Sequence, residues 1–188
     1  VTYTMARDCL FPWRTALQNV CFGMELRGIP LPEREQRARQ ELARVGLERF
    51  VDAYPKALSH GMRQRAALAR GFCLESEVLL MDEPFGALDA QTKIQLEDLL
   101  LQLWEQTRRT VVFITHDLAE AVALADRVVV MSARPGRIIA DMPITLPRPR
   151  HVRELQRDPA FLALYSQVWE QLERGIRMSE GQAQEATT

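Results

Sequence analysis

The chain is expected to be an α/β protein, with a parallel sheet as its core and a helical subdomain set against it. Three observations carry that expectation. Two short apolar runs, Val78-Leu79-Leu80-Met81 and Thr110 to Thr115 (TVVFIT), have the length and continuity of strands buried on both faces of a parallel sheet. One amphipathic helix, about Ala90 to Arg108, lies between them and can serve as the crossover that parallel neighbours require. Residues 16–55, by contrast, carry helical periodicity.

Composition narrows the function classes. The chain has 188 residues, enough for one large domain or one domain with a helical insert. Its 24 basic and 25 acidic residues leave a net charge of -1, which argues against a basic nucleic-acid footprint. Lys56 and Lys93 are the only lysines; every other base is arginine. Cys9, Cys21 and Cys73 are widely spaced and form no CxxC pair, a usage that suits a reducing cytosol rather than a disulfide framework or a zinc site. No apolar run approaches the ~18 residues of a membrane span, and no signal-peptide pattern is present, so the chain is expected neither to cross a membrane nor to be exported.

Taken in order, Val1 to Ala6 reads as the end of a strand, followed by an apolar loop, Leu10-Phe11-Pro12-Trp13. Its proline makes it too rigid for a strand interior, so it is either tucked into the core or offered to a partner. Ala16 to Leu26 is a helix closed by Gly28 and Pro30, and a second starts at Pro32 and Glu33 with Ala38, Leu42 and Val45 on one face and Gly46 as its cap. A short helical turn is expected from Glu48 to Ala53. Ser59 is a good N-cap for a helix running to Phe72, and Gly61 lets a ligand approach its backbone. Such a start suits phosphate, although an ordinary capped helix looks the same.

The chain's chemistry gathers after the first buried run. Asp82 and Glu83 arrive where the strand ends, Pro84 forbids further pairing, and Gly86 allows a sharp turn. The acids therefore stand at the carboxyl end of a strand, where open α/β sheets place their ligands. One could hold a divalent cation while the other takes a proton from water; alternatively both are solvated or cap the next helix. That helix puts Ile94, Leu96, Leu99, Leu100, Leu103 and Trp104 toward the core and Lys93 with Glu97 outside. His116 ends the TVVFIT strand and should share the carboxyl edge with the acids, either as a structural group or as a chemical one. Asp117 caps a helix through Ala125, Val128 to Met131 is a third strand, and Arg134 to Arg137 is a turn. Ile138 to Met142 and Ile144 to Leu146 read as antiparallel edge strands. Pro147, Arg148 and Pro149 mark a linker, Phe161 to Ile176 is a last helix carrying Leu162, Tyr165, Val168, Trp169 and Leu172, and residues 179–188 are expected to be disordered.

The ordered series LSHGMRQR, VLLMDEP, GALD and ITHD resembles the nucleotide-binding subunit of ATP-binding cassette (ABC) transporters, over about Met5 to Trp169. The resemblance implies a P-loop NTPase-like fold, ATP and Mg²⁺ as cofactors, and phosphoryl transfer as the reaction. It assigns Mg²⁺ to Asp82, the attacking water to Glu83 and a γ-phosphate contact to His116. Ser59, His60, Gly61 and Met62 would bind ATP held by a second ATPase subunit, with a homodimer expected, and Asp89 of the D-loop would cross that interface. The segment ARDCLFPWRTALQNV, Met62 where many relatives have Gln, and the PRPR segment before the Trp169 helix resemble importers of nitrate, sulfonate, taurine or similar solutes. In that branch Leu10, Phe11 and Trp13 lie against integral membrane permease subunits. A solute-binding protein is then an indirect partner, and the chain sits peripherally at the cytoplasmic face of the membrane.

By this resemblance residues 1–15 are the Q-loop region with the end of an N-terminal strand, residues 16–72 the helical subdomain with the signature, and residues 73–146 the α/β catalytic core. Residues 147–178 are a linker and helix. Three departures accompany it. The phosphate cradle GxxxxGK[ST] is absent, since Lys56 follows Pro55 and Lys93 follows Thr92, and so is an aromatic to stack on adenine. Ala6 stands at the usual Gln position, and His60 replaces a signature glycine. The expectation is an N-terminally truncated ATPase, inactive as this polypeptide, whose Asp82 strand would have an open apolar edge. A catalytically degenerate partner subunit and a soluble, non-transport ABC ATPase are the alternatives.

Overall fold

The computed structural model describes residues 1–4, 8–133 and 136–185. Ala6 and the Arg134-Pro135 part of the expected turn lie outside them. The chain divides into two compact units, Val1–Ile114 and Thr115–Thr188.

In the first unit β1 (Thr2–Thr4), β2 (Val78–Asp82) and β3 (Thr110–Ile114) form a three-stranded parallel sheet in the order β1-β2-β3. The register pairs Thr4 with Met81 and Asp82 with Ile114. β2 is therefore central, and the open edge expected for it is not found: β1 and β3 take its two rows of backbone groups. The two faces of the sheet differ, contrary to the reading of strands buried on both sides. Leu79 and Met81 are buried, whereas on the alternate face Tyr3 and Val112 are exposed and Ile114 is 52 % exposed. Successive strand side chains point to opposite faces, so an unbroken apolar run says nothing about how many faces are covered.

Helices α1 (Ala16–Leu26), α2 (Leu31–Arg44) and α3 (His60–Cys73) pack on one another as the helical subdomain. Thr15 and Gln18 close a capping box on α1. Ala38, Leu42 and Val45 are buried as their spacing demands, and Ala66 and Ala69 of α3 are buried too. Residues 48–53 form turns rather than the expected helix. The carbonyls of Val51 and Ala53 accept from the N–H groups of Leu17 and Ala16 at 2.9 and 2.8 Å, so they cap α1 and are lost to a local helix.

Helix α4 (Ala90–Thr107) ends in a left-handed Arg108, φ 50°, with Trp104 Nε1 donating to the Arg109 carbonyl at 2.7 Å. Leu96, Leu100 and Leu103 are buried as expected. Glu97, placed outside by its i,i+4 relation to Lys93, is only 3 % exposed. The reason is angular: it is next to Leu96 and one turn from Leu100 and Leu101, inside a wide buried stripe.

In the second unit β4 (Arg127–Met131) and β5 (Ile138–Pro143) pair antiparallel. Residues 144–146 are not a strand. Ile144 N–H donates to the Asp126 carbonyl at 2.9 Å, and Ile144 and Leu146 are buried. The PRPR segment is anchored rather than a free linker. Arg150 donates to the carbonyls of Ala123, Ala125 and Leu146 at 3.1, 2.7 and 2.9 Å, and Arg148 donates to Leu124 at 2.8 Å, so both cap the end of α5 (Leu118–Leu124). After α6 (Val152–Leu155), helix α7 runs Pro159–Glu185, past the Ser179 where disorder was expected. The Gln, Ala and Glu residues there are good helix formers. Phe161, Val168 and Gly175 make its buried line, while Leu162 and Trp169 are exposed.

Candidate functional site

At the end of β2 the backbone turns sharply and is held on both sides. Glu83 N–H donates to the Ile114 carbonyl at 2.8 Å, and the Glu83 carbonyl accepts from Gly86 N–H at 3.2 Å. Phe85, buried, anchors the turn through a tilted ring contact with Phe113, centroids 5.9 Å apart. Glu83 itself has φ 46°, a left-handed conformation that costs a non-glycine residue about 1 kcal/mol and that the surrounding bonds impose. Asp82 is half-buried and accepts through Oδ2 from the Tyr3 hydroxyl at 2.8 Å. That hydrogen bond to a carboxylate raises the Tyr3 pKa.

The donor set bears on the expected metal. Among the described residues no group of three or more His, Cys, Asp or Glu could close around a cation. Magnesium, however, is characteristically held by one or two carboxylates with water and phosphate oxygens completing its shell. Asp82 fits that kind of site.

Ser59 caps α3, its hydroxyl accepting from Met62 N–H at 3.3 Å, with His60, Gly61 and Met62 half-buried in the first turn. Asp89 caps α4 through Thr92 N–H at 3.0 Å, and its hydrogen bonds with Thr92 hold the Asp89 carboxyl below the usual range. The two helix starts meet: a Cβ on Gly61 would stand 2.9 Å from Thr92 Cγ2. The glycine thus serves packing within the chain as well as any approach of a ligand.

The Leu10-Phe11-Pro12-Trp13 loop divides between the two fates open to it. Leu10 is buried, Phe11 is half-buried against Phe22 at 4.6 Å, and Trp13 is 70 % exposed. Asn19, completely buried, organises the loop from α1. It accepts from Phe11 N–H at 2.7 Å and donates to the carbonyls of Phe11, Arg14 and Thr15 at 3.2, 3.0 and 3.0 Å. Arg14 lies over Phe22 at 5.0 Å and pairs with Glu25 at 2.7 Å. Asn19 was missed by sequence reasoning; its one signal is a polar residue on the apolar line of α1 beside Ala16, Val20 and Met24.

His116 belongs to the second unit and is exposed. Its neighbours fix the chain around it. Thr115 donates to the buried Glu120 and accepts from Asp117 N–H at 2.9 Å, and Asp117 caps α5 through Ala119 N–H at 2.8 Å. The first unit brings Asp82 and Glu83 to one strand end, and Ser59 to Met62 beside the helix that Asp89 caps.

A parallel sheet with acids at its carboxyl end, joined to a helical subdomain, belongs to the class of α/β proteins that bind ligands at a strand edge, and comparison with known proteins specifies it. The family model described as ABC transporter matches residues 1–86. The nitrate import ATP-binding protein NrtD of Synechocystis is 45 % identical over 179 residues, 93 % of this chain and 67 % of that protein. The taurine import ATP-binding protein TauB of Pseudomonas putida is 45 % identical over 159 residues, 82 % of this chain and 61 % of that protein. Among solved structures, cbiO1 from Clostridium perfringens, part of the ABC transporter complex cbiONQ, superposes with a TM-score of 0.67 at 26 % identity over 86 % of this chain and 61 % of that one. The ATP-binding cassette MJ0796, a dimer in a post-hydrolysis state bound to ADP and Pi, gives 0.63 at 30 % identity over 78 % of this chain and 64 % of that one. The chain belongs to the ABC transporter ATP-binding family and has its P-loop NTPase-like α/β fold. It spans about 61 % of the length of the first curated relatives it matches.

Proposed function

We propose that the whole protein is the ATP-hydrolysing subunit of an importer of a small solute such as nitrate, a sulfonate or taurine. The observation that carries the reading is the pair of carboxylates at the end of β2, with the Glu83 backbone held at φ 46° between the Ile114 and Gly86 bonds. In this reading Asp82 holds Mg²⁺, and the ion, when bound, would neutralise charge on the phosphates. Glu83 accepts a proton from the attacking water, which its fixed backbone helps to orient. His116 donates to the γ-phosphate. Ser59, His60, Gly61 and Met62 present a capped helix start, and so free N–H groups, to ATP held by a second copy of the subunit, while Asp89 crosses between the two. The dimeric, ADP-bound cassette MJ0796 supports that arrangement by analogy.

Leu10, Phe11 and Trp13 face integral membrane permease subunits, and the 70 % exposure of Trp13 is in keeping with this. No described helix is long and apolar enough to cross a membrane, so attachment at the cytoplasmic face goes through those subunits, with a solute-binding protein as an indirect partner. NrtD and TauB, by their names, support the nitrate and taurine choices.

In the full-length protein Glu83→Gln is expected to reduce ATP turnover roughly 100- to 10,000-fold while ATP binding persists. An unchanged steady-state rate removes Glu83 from the role of base. Capture of an integral membrane subunit, rather than ribosomes or DNA, is expected in a pull-down.

A further inference from the structure

The pairing of β1 with β2 brings a side chain from the neighbouring strand to Asp82. Tyr3 pairs with Leu80, so Tyr3, Leu80 and Asp82 stand on one face of the sheet, the face on which Val112 and Ile114 are exposed. Asp82 is two residues beyond Leu80, about 6.6 Å further along the strand. A tyrosine side chain covers that span, and a serine or threonine would not. The Tyr3 hydroxyl does so, donating to Asp82 Oδ2 at 2.8 Å.

Three properties suit this bond to a cation ligand. The donor is neutral, whereas an arginine or lysine in its place would bring a positive charge that opposes a second cation on the carboxylate. The donor is placed by a strand: residues 2–4 are paired with residues 79–81, and the hydroxyls of Thr2 and Ser76 are bonded at 2.6 Å. Only two side-chain torsions of Tyr3 then remain to be set. Finally, the bond uses one direction on one oxygen, and an ionised carboxylate offers about four, so Asp82 can accept it and still face a cation. Hydrogen bonds of this kind to a ligating carboxylate fix its orientation.

We propose that Tyr3 is a positioning residue for Asp82, its hydroxyl holding the carboxylate in the orientation in which Asp82 receives the divalent cation. The proposal rests on the role given above to Asp82.

The test is manganese(II) binding, followed by electron paramagnetic resonance, to the full-length protein carrying Glu83→Gln and loaded stoichiometrically with ATP, so that no turnover intervenes. Adding Tyr3→Phe is expected to weaken Mn²⁺ binding about tenfold, with ATP affinity in the absence of divalent cations changed less than about twofold. The substitution removes one oxygen from an exposed ring and leaves the backbone bonds of β1 in place. Asp82→Asn, measured alongside, is expected to weaken Mn²⁺ binding at least as much. If Asp82→Asn lowers Mn²⁺ affinity and Tyr3→Phe does not, the proposal is overturned and the role of Asp82 stands. If neither lowers it, Asp82 is not the ligand and the proposal falls with that reading. Equal losses of Mn²⁺ and ATP affinity in Tyr3→Phe also overturn it, because the hydroxyl would then shape the nucleotide site as a whole.

Discussion

Thr92 Cγ2 fills the space in front of Gly61, so closely that a Cβ there would lie 2.9 Å away. The start of the signature helix and the start of the helix capped by Asp89 are therefore fitted to each other. Because threonine is β-branched and stiff at χ1, it cannot swing aside cheaply. Gly61→Ala is expected to lower stability by about 1 to 3 kcal/mol in urea denaturation, and Thr92→Ser, which removes the methyl group, to recover most of that loss. If Gly61→Ala costs the same with Ser at position 92, the contact is not what requires the glycine.

Asn19 is the keystone of the Leu10 loop. Asn19→Leu leaves the Phe11 N–H and the Arg14 carbonyl without the partner they have now, while the Phe11 and Thr15 carbonyls keep their bonds from the backbone N–H groups of residues 14 and 19. The expected loss is about 2 to 4 kcal/mol, because buried groups left unpaired pay their full desolvation cost. Trp13 fluorescence in a chain with Trp104 and Trp169 replaced by Phe should shift with the loop's release. A stable variant with an unaltered Trp13 spectrum contradicts this role.

Arg150 gathers the carbonyls of Ala123, Ala125 and Leu146 with its side chain 1 % exposed. Burial pushes its pKa down, and the Asp126 carboxylate lies 3.6 Å from it. Arg150→Lys is expected to destabilise that unit by about 2 to 3 kcal/mol, since one ammonium cannot reproduce a guanidinium's fork of donors. Equal melting of the lysine variant and the parent would show that the fork is dispensable.

The buried thiols set an alkaline limit. Burial pushes Cys73 up to about 12 and Cys21 up to about 11, against about 8.5 for a thiol in an unfolded chain. Both folded values are raised, so their stabilising contribution is whole below about pH 8.5 and is lost as pH climbs through 11 and 12. At pH 10 each thiol is expected to have forfeited roughly 2 kcal/mol, read as a falling urea midpoint, and the Cys21→Ser, Cys73→Ala chain should show a flatter profile. An equally steep fall in that double variant would place the titration elsewhere. Cys9 is exposed and should be the first thiol alkylated at pH 8.

Most elements were legible because their signals are local. Ser59 and Asp117 each cap the helix that the pattern assigns to them, and the helices expected from Ala16 and Ala90 start there, capped by Thr15 and Asp89. The runs at 78–81 and 110–115 are strands, parallel and paired. Misreadings came where a distant partner competed with the local signal. Val51 and Ala53 give their carbonyls to α1, Ile144 bonds back to Asp126, and Arg148 and Arg150 are drawn onto α5.

The sequence by itself determined the order of helices and strands, the acids at the end of β2, and the motifs that name the family. All of these depend on residues a few positions apart, whose periodicity and capping chemistry act before any long-range contact forms. Only the tertiary structure decided that β2 is central, that Glu97 is buried and that Thr92 requires a glycine at position 61. It alone joined Asp8 to Arg63, which lie 55 positions apart in the chain. Such relations belong to surfaces brought together by packing, and which surfaces meet is settled by how much apolar area the whole fold can remove from water.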